Sequence, residues 1–377
     1  MMHPTAPNTK VLQVSKPEIF AMALLSLGTL TAGILIAYVF GSFMMRYPQQ
    51  GGTYMPPGMI MEHGASTSQM TDMQAVDDRS VTTQSSPGAV GDVPLKPQIV
   101  GGVKVFHLTA GIIKWWILPN VSVLAYAYNG EVPGPQIRIR QGDRVRFVVH
   151  NALPEPTTIH WHGLIVPNSM DGPADVTQKP IPPGGDFTYA FTVKQSGTYF
   201  YHSHDNPDRQ QDLGLYGALI VEPAKKPDYQ YDKEVDVQLG EWLERNGKTF
   251  PSMPMEGSMP NYFTINGKAY PSTPTIHIKL GQKLLVRFIG TSSNFIHPMH
   301  IHGGPFQVVA QDGNTLPVNQ RYLRDTINVA PGQRYDVIWP ARERGKWLMH
   351  CHINHHTTND GTEERGGGGL TEIIEVD

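Results

Sequence analysis

The distribution of apolar and polar positions divides the chain into three stretches. From Ile19 to Phe43 the sequence IFAMALLSLGTLTAGILIAYVFGSF runs 25 residues without a charge, more than the ~20 a helix needs to cross a bilayer. The pattern predicts one N-terminal transmembrane helix over 19–43, preceded by a tail over 1–18. A cleaved signal peptide is the alternative reading, but its apolar core is usually ~7–15 residues long and ends in a small-residue cleavage site, which is not clear here. Lys10 and Lys16 precede the run and Arg46 follows it, a bias that weakly places the tail in the cytoplasm and the rest of the chain outside. Residues 44–98 are poor in aromatics and rich in Gln, Ser, Thr, Gly and Pro, the composition of a flexible linker.

Beyond residue 100 the period changes to two. Short alternating segments (IRIR, VRFVV, FTYAF, YDVIW) are bounded by Gly, Pro and Asn turns, which predicts antiparallel strands in a sandwich or small Greek-key barrel. These segments recur in order. QIRIRQGDRVRFVVHN, PPGGDFTYAF and GTYFYHSH in the first half answer to TIHIKLGQKLLVRFIGT, APGQRYDVIW and GKWLMHCH in the second. The chain therefore reads as a duplicated all-β domain, one copy over 99–225 and the other over 226–377, with the boundary in the Pro- and Lys-bearing stretch after Val221.

Composition narrows the chemistry. With 30 basic and 33 acidic residues the net charge is −3, so nothing points to nucleic acid as a partner. A single cysteine, Cys351, excludes an intrachain disulfide, a four-cysteine zinc site and an iron–sulfur cluster held by this chain alone. Against it stand 16 histidines, 11 of them in four short clusters. His160/His162, His202/His204, His300/His302 and His350/His352 are His-Xaa-His pairs, which on a strand place both rings on one face. In the tripeptide 350–352 that alternation turns Cys351 the other way, so three residues serve two metal sites. A thiolate with two imidazoles is the ligand set of a blue-copper centre. His356 is near enough to return to the Cys351 side, and His297 can supply the second imidazole. His107, His150 and His277 belong to no cluster and read as structural or surface residues.

HWHG (160–163), YHSH (201–204), HPMHIHG (297–303) and HCHINHH (350–356) resemble, in order, the four copper motifs of multicopper oxidases. Over roughly 100–377 the chain is similar to the two-domain, small-laccase type of the cupredoxin superfamily. The resemblance implies two cupredoxin-like Greek-key β-sandwich domains and four coppers per chain. A type 1 copper would lie on His297, Cys351 and His356, and a type 2 copper on His160 and His300. A type 3 pair would lie on His162, His202, His204, His302, His350 and His352. His355 has no ligand role in this assignment. Where many members carry an axial Met, the spacing reaches Gly361, while alignment of the final strand brings Leu370 to that place.

The function implied is laccase-like. A phenol, Cu(I), Fe(II) or Mn(II) would give single electrons through the edge of His356 and Cys351, and O2 would be reduced to water at the three-copper site. Asp171 falls where the family keeps a carboxylate for proton supply; as the residue before Gly172, it also reads as an ordinary turn residue. The three-copper site needs histidines from both domains, within one chain or between neighbours in a ring, and the resemblance favours a homotrimer. The membrane anchor would hold the catalytic domains outside the cytoplasm. Met44, Met45, Met55, Met59, Met61, Met70 and Met73 make the linker either a copper-gathering tail or plain tether, and Met253, Met255 and Met259 either a Cu(I) port or incidental loop residues. Two alternatives remain: a copper nitrite reductase, and a membrane-tethered copper-binding or electron-transfer protein without turnover. Ser203, between His202 and His204, speaks against the first, since that enzyme carries its blue-copper cysteine in the first domain.

Overall fold

The predicted alternation becomes strand. In Asp186–Thr192 (DFTYAFT), Phe187, Tyr189 and Phe191 turn inward while the residues between them stay exposed, as a pleated strand with one wet face requires. The computed structural model divides into two units, Met1–Thr53 and Tyr54–Asp377. It describes residues 15–17, 20, 21, 31, 33, 72–254, 257–363 and 365–377. Among the described residues no helix is long and apolar enough to cross a membrane. All of the anchor expected over 19–43 except residues 20, 21, 31 and 33, and most of the Met-rich linker, lie outside the described residues.

The second unit holds two all-β, cupredoxin-like domains. In the first, the strands Gly134–Arg140, Tyr216–Glu222, Gly197–His202 and His160–His162 form one sheet in that order. It faces a six-stranded sheet built around the long strand Val103–Leu118, with Arg144–Asn151 and Asp186–Thr192 beside it. The second domain repeats the plan. Ile276–Ile278, Thr371–Val376, Gly345–Cys351 and His297–Ile301 lie side by side, with Thr326–Val329 at the edge, and face a sheet containing Lys283–Ile289 and Arg334–Pro340. Even the parallel pairing is shared: Leu219 lies opposite Ile137 in one domain and Ile374 opposite Ile276 in the other. The duplication read from the sequence is thus a duplication of strand order.

Each sandwich encloses its own apolar core, the first around Phe147, Trp161, Tyr189 and Tyr201, the second around Phe288, Met299, Trp339 and Met349. A third cluster joins them, packing Trp115 and Ile117 of the first domain with Trp242, Tyr262 and Ala269 of the second. The indole of Trp115 donates to the carbonyl of Gly267 at 2.7 Å. Gly267 sits at φ +74°, and a β-carbon there would come 2.1 Å from the carbonyl oxygen of Val132, so the junction requires glycine.

The linker expected over 44–98 ends earlier than its composition suggests. Val81–Gln84 pairs parallel with the strand Val103–Leu118, Met73, Ala75 and Val76 are buried, and Val76 N–H donates to the carbonyl of Thr249. Residues 72–98 are therefore part of the folded body: Val81–Gln84 extends a first-domain sheet, while Ala75 packs with Leu243 and Phe250 of the second domain. Their polar composition hides this because an added edge strand is held through backbone groups, which every residue type offers.

A crevice of about 350 Å³ between the domains is lined by Asp92, Gln136, Arg138, Asp236 and Glu372, among others. Burial pushes the Glu372 carboxyl up to about 8, and its Oε2 has no hydrogen-bond partner. Its unfolded counterpart loses the proton near the ordinary value of 4.5, so the folded state loses stability as pH rises from there through about 8. Glu372→Gln is expected to raise the thermal midpoint relative to the parent at pH 8–9 and to approach it near pH 4, as followed by calorimetry across that range. An unchanged difference at both pH values would refute the assignment.

Candidate metal centres

The strand pairing that closes each sandwich also gathers the histidines. In the second domain Met299 lies opposite Cys351 and His300 opposite His350. Met299, Met349 and Cys351 therefore face the core, while His300 and His350 share the other face. The tripeptide 350–352 divides between two sites as its alternation predicts.

On the core side, a 3-10 turn over Asn354–Thr357 returns His356 to Cys351. Nδ1 of His356 stands 3.5 Å from Sγ of Cys351 and 3.1 Å from Nδ1 of His297. One donor atom of each residue lies within 4.8 Å of the others, and all three are buried. Burial drives both imidazoles down to about 3 and the Cys351 thiol up to about 12. The imidazoles are thus neutral donors, and the thiol would surrender its proton only to a metal cation. Phe263 stacks on His356 at 4.2 Å. Leu370 is wholly buried in the same apolar cluster as Cys351, and its backbone accepts from Cys351 N–H and donates to the carbonyl of His356. Gly361 is exposed with open space around it. Of the two axial alternatives, Leu370 is therefore the one beside the centre.

The other eight histidines expected as ligands form two quartets built alike. In the first domain His160 lies opposite His202, and the ring of His160 is 5.3–5.5 Å from those of His162, His202 and His204. In the second, His300 is 4.9–5.8 Å from His302, His350 and His352. Backbone carbonyls take Nδ1 in corresponding ways. His202 donates to the carbonyl of Ser203 and His350 to that of Cys351, each at 2.8 Å. His160 and His300 donate at 2.7 Å to the carbonyls of Asp171 and Asp325. Such a bond fixes the tautomer and leaves Nε2 as the free donor. Nε2 of His302 and His350 meet at 3.1 Å, as two ligands of one ion would. Burial lowers His160, His162, His202, His302 and His350, His162 to about 3, so these rings too are neutral.

Asp171 lies in a turn, as its place before Gly172 predicts, and against His160. Its backbone holds His160, and its carboxylate, partly exposed, lies 3.6 Å from the same ring nitrogen. Gly172 beside it has φ +107°, and a β-carbon there would meet the carbonyl of Ile159 at 2.1 Å, so the turn presses against the His160 strand. The sequence offered no sign of Asp325, because its contribution is a backbone carbonyl brought in from the bend between the strands Tyr322–Arg324 and Thr326–Val329. Nor did it signal Glu241, whose Oε1 stands 3.3 Å from Nε2 of His297 with both side chains buried. His355 is exposed beside the triad. His150 contacts Asp186 and His277 lies near Glu375, while His107 is exposed. Met253 is half-buried and Met259 exposed; Met255 lies outside the described residues.

The first domain has a counterpart of the thiolate centre, filled differently. Thr157 and Ser203 stand where the repeat puts His297 and Cys351. Gln210 Oε1 accepts from Thr157 Oγ1 at 2.8 Å and from Ser203 Oγ at 2.6 Å, and all three residues are buried. A satisfied hydrogen-bond network occupies the place of a metal.

The chain matches two family models described as multicopper oxidase, over residues 112–226 and 248–361. Among solved structures it is similar to the blue copper oxidase from Nitrosomonas europaea, at 32% identity over 73% of this chain and 86% of that one, with a TM-score of 0.67. Among curated proteins it is 31% identical to copper resistance protein A of Pseudomonas syringae pv. tomato, over 57% of this chain and 42% of that protein. It is 35% identical to laccase-6 of Oryza sativa subsp. japonica, over 59% of this chain and 40% of that protein. The chain thus spans less than half the length of these curated relatives.

Proposed function

Because the chain belongs to the multicopper oxidases and is an oxidoreductase, we propose that it is a laccase-like enzyme coupling one-electron oxidation of a phenol or a reduced metal ion to reduction of O2 to water. The observation that carries this reading is the single strand Gly345–Cys351, which delivers Cys351 to a buried two-histidine centre and His350 to a histidine quartet on its other face. Buried thiol and neutral imidazole donors fit copper. When bound, copper would supply the one-electron chemistry at the first centre and O2 reduction at a three-copper site built from eight imidazoles, four ions per chain in all.

The protein's own contribution is placement. His350, Cys351 and His352 give a covalent path between the two centres, about as short as a polypeptide allows. The carbonyls of Asp171, Ser203, Asp325 and Cys351 hold the Nδ1 atoms of His160, His202, His300 and His350 and leave the opposite nitrogens as donors. The Asp171 carboxylate, open to solvent on one side and near His160 on the other, is suited to pass protons inward. Phe263 and Phe295 shield His356, with exposed Ile296 beside Phe295 and exposed Ile353 just before His356 in the chain, a surface that suits an apolar phenolic donor.

Among the described residues the two quartets share no ring contact or hydrogen bond, while contacts run throughout each one. This favours a head-to-tail homotrimer in which the first-domain quartet of one subunit completes the second-domain quartet of the next. Attachment by the N-terminal apolar run, with the catalytic domains outside the cytoplasm, is part of the same proposal.

Copper content and O2 uptake with a phenolic reductant, beside an assay for nitrite reduction, test the reading. Four coppers per chain with O2 consumption support it. NO formation without O2 uptake would replace it with nitrite reduction, and copper binding without either would make the protein a carrier.

A further inference from the structure

Glu241 is a buried acid that the proposed chemistry leaves unused. It lies in the strand Lys233–Arg245 among the buried residues Leu239, Trp242 and Leu243, a setting in which an unengaged carboxyl group is costly. Its Oε1 stands 3.3 Å from Nε2 of His297, while Nδ1 of that ring faces His356 at 3.1 Å. The two nitrogens of one imidazole therefore have separate partners, a carboxyl group on one side and the metal-binding triad on the other. Ser292 holds the arrangement. Its hydroxyl donates to the same Glu241 oxygen and accepts Phe295 N–H at 3.2 Å, tying the acid to the loop that leads into His297.

We infer that Glu241 is a positioning residue of the type 1 copper site: its Oε1 accepts the Nε2–H of His297, which leaves Nδ1 as the metal donor. The inference rests on reading His297, Cys351 and His356 as that site. Accepting this proton fixes the tautomer and the ring plane and makes Nδ1 a stronger donor. A stronger donor favours Cu(II) over Cu(I), so Glu241 holds the reduction potential down, whereas the apolar Leu370 beside the centre offers no donor atom of its own.

The test compares full-length, copper-loaded parent with Glu241→Leu, Glu241→Gln and Ser292→Ala. The readouts are blue absorption, type 1 reduction potential by redox titration, and copper retained against a chelator. Glu241→Leu is expected to raise the potential and weaken retention about 10–100-fold. Glu241→Gln keeps an oxygen that accepts Nε2–H, so its retention should stay near the parent's and its potential should move less. Ser292→Ala should shift the potential in the same direction as Glu241→Leu, because it frees the carboxyl group to turn away. If Glu241→Leu does not fold, the potential of Ser292→Ala decides, a rise supporting the inference and parental behaviour overturning it. Equal potential and retention in Glu241→Leu and the parent also overturn it. A parent that shows no blue absorption would overturn the type 1 reading itself, which separates that failure from this one.

Discussion

Cys351→Ser is expected to abolish blue absorption and reduce oxidase turnover to background while leaving about three of the four proposed coppers bound. Cys351 is the chain's only cysteine, so no other residue can supply a thiolate. The side chain is 1% exposed and packs in the second-domain core. Serine is close in size, and its hydroxyl is expected to cost about 1–3 kcal/mol when buried without a full set of partners, which leaves a domain of this size folded. Cys351 faces the core while His350 shares the other face of the strand with His300, so the copper on the quartets should remain. Copper analysis, visible spectroscopy and O2 uptake on the same preparation check the result. Blue colour surviving in the serine variant would mean that the thiolate of Cys351 is not its source.

The second large effect concerns assembly. His202→Ala breaks the first-domain quartet and His302→Ala breaks the second, and each variant alone should lose O2 reduction. Co-expressed, the two should recover activity. In a head-to-tail ring each site takes one quartet from each of two neighbours, so random mixing yields both quartets intact at about one site in four. If both quartets of one chain built the site together, no mixture could restore it. Recovery near one quarter of the parent rate per chain therefore supports assembly between subunits, and a mixture as inactive as its components overturns it. Among the described residues no ring contact joins the two quartets, whereas the rings around His300 are 4.9–5.8 Å apart, which is why the mixture is the informative measurement.

Some of this was open to reading along the chain. His350, Cys351 and His352 are neighbours, and strand alternation alone sends the thiol one way and the rings the other. The four His-Xaa-His pairs follow the same rule, and the duplicated order of segments appears again in matched parallel and antiparallel pairs. Other parts were closed to such reading. Residues 72–98 have the composition of a tether yet add a strand to the first domain, because edge pairing uses backbone groups that composition does not report. Asp325 acts through its carbonyl, which looks like any other carbonyl in a sequence.

The sequence by itself determined the donor inventory and the local geometry of each motif: one thiolate, paired imidazoles at strand spacing, and two copies of the framework, of which only the second has a cysteine. The tertiary structure decided what lies across from them. It brought His297 and His356 to Cys351 over separations of 54 and 5 residues, set Leu370 rather than Gly361 beside that centre, and put Glu241 on the back of His297. It also filled the corresponding place in the first domain with Thr157, Ser203 and Gln210. The physical reason is range. Side-chain direction along a strand follows from chain chirality and the pleat, which are local, whereas partners contributed by other strands and turns meet only when the sheets pack and register is fixed by burial of one apolar face.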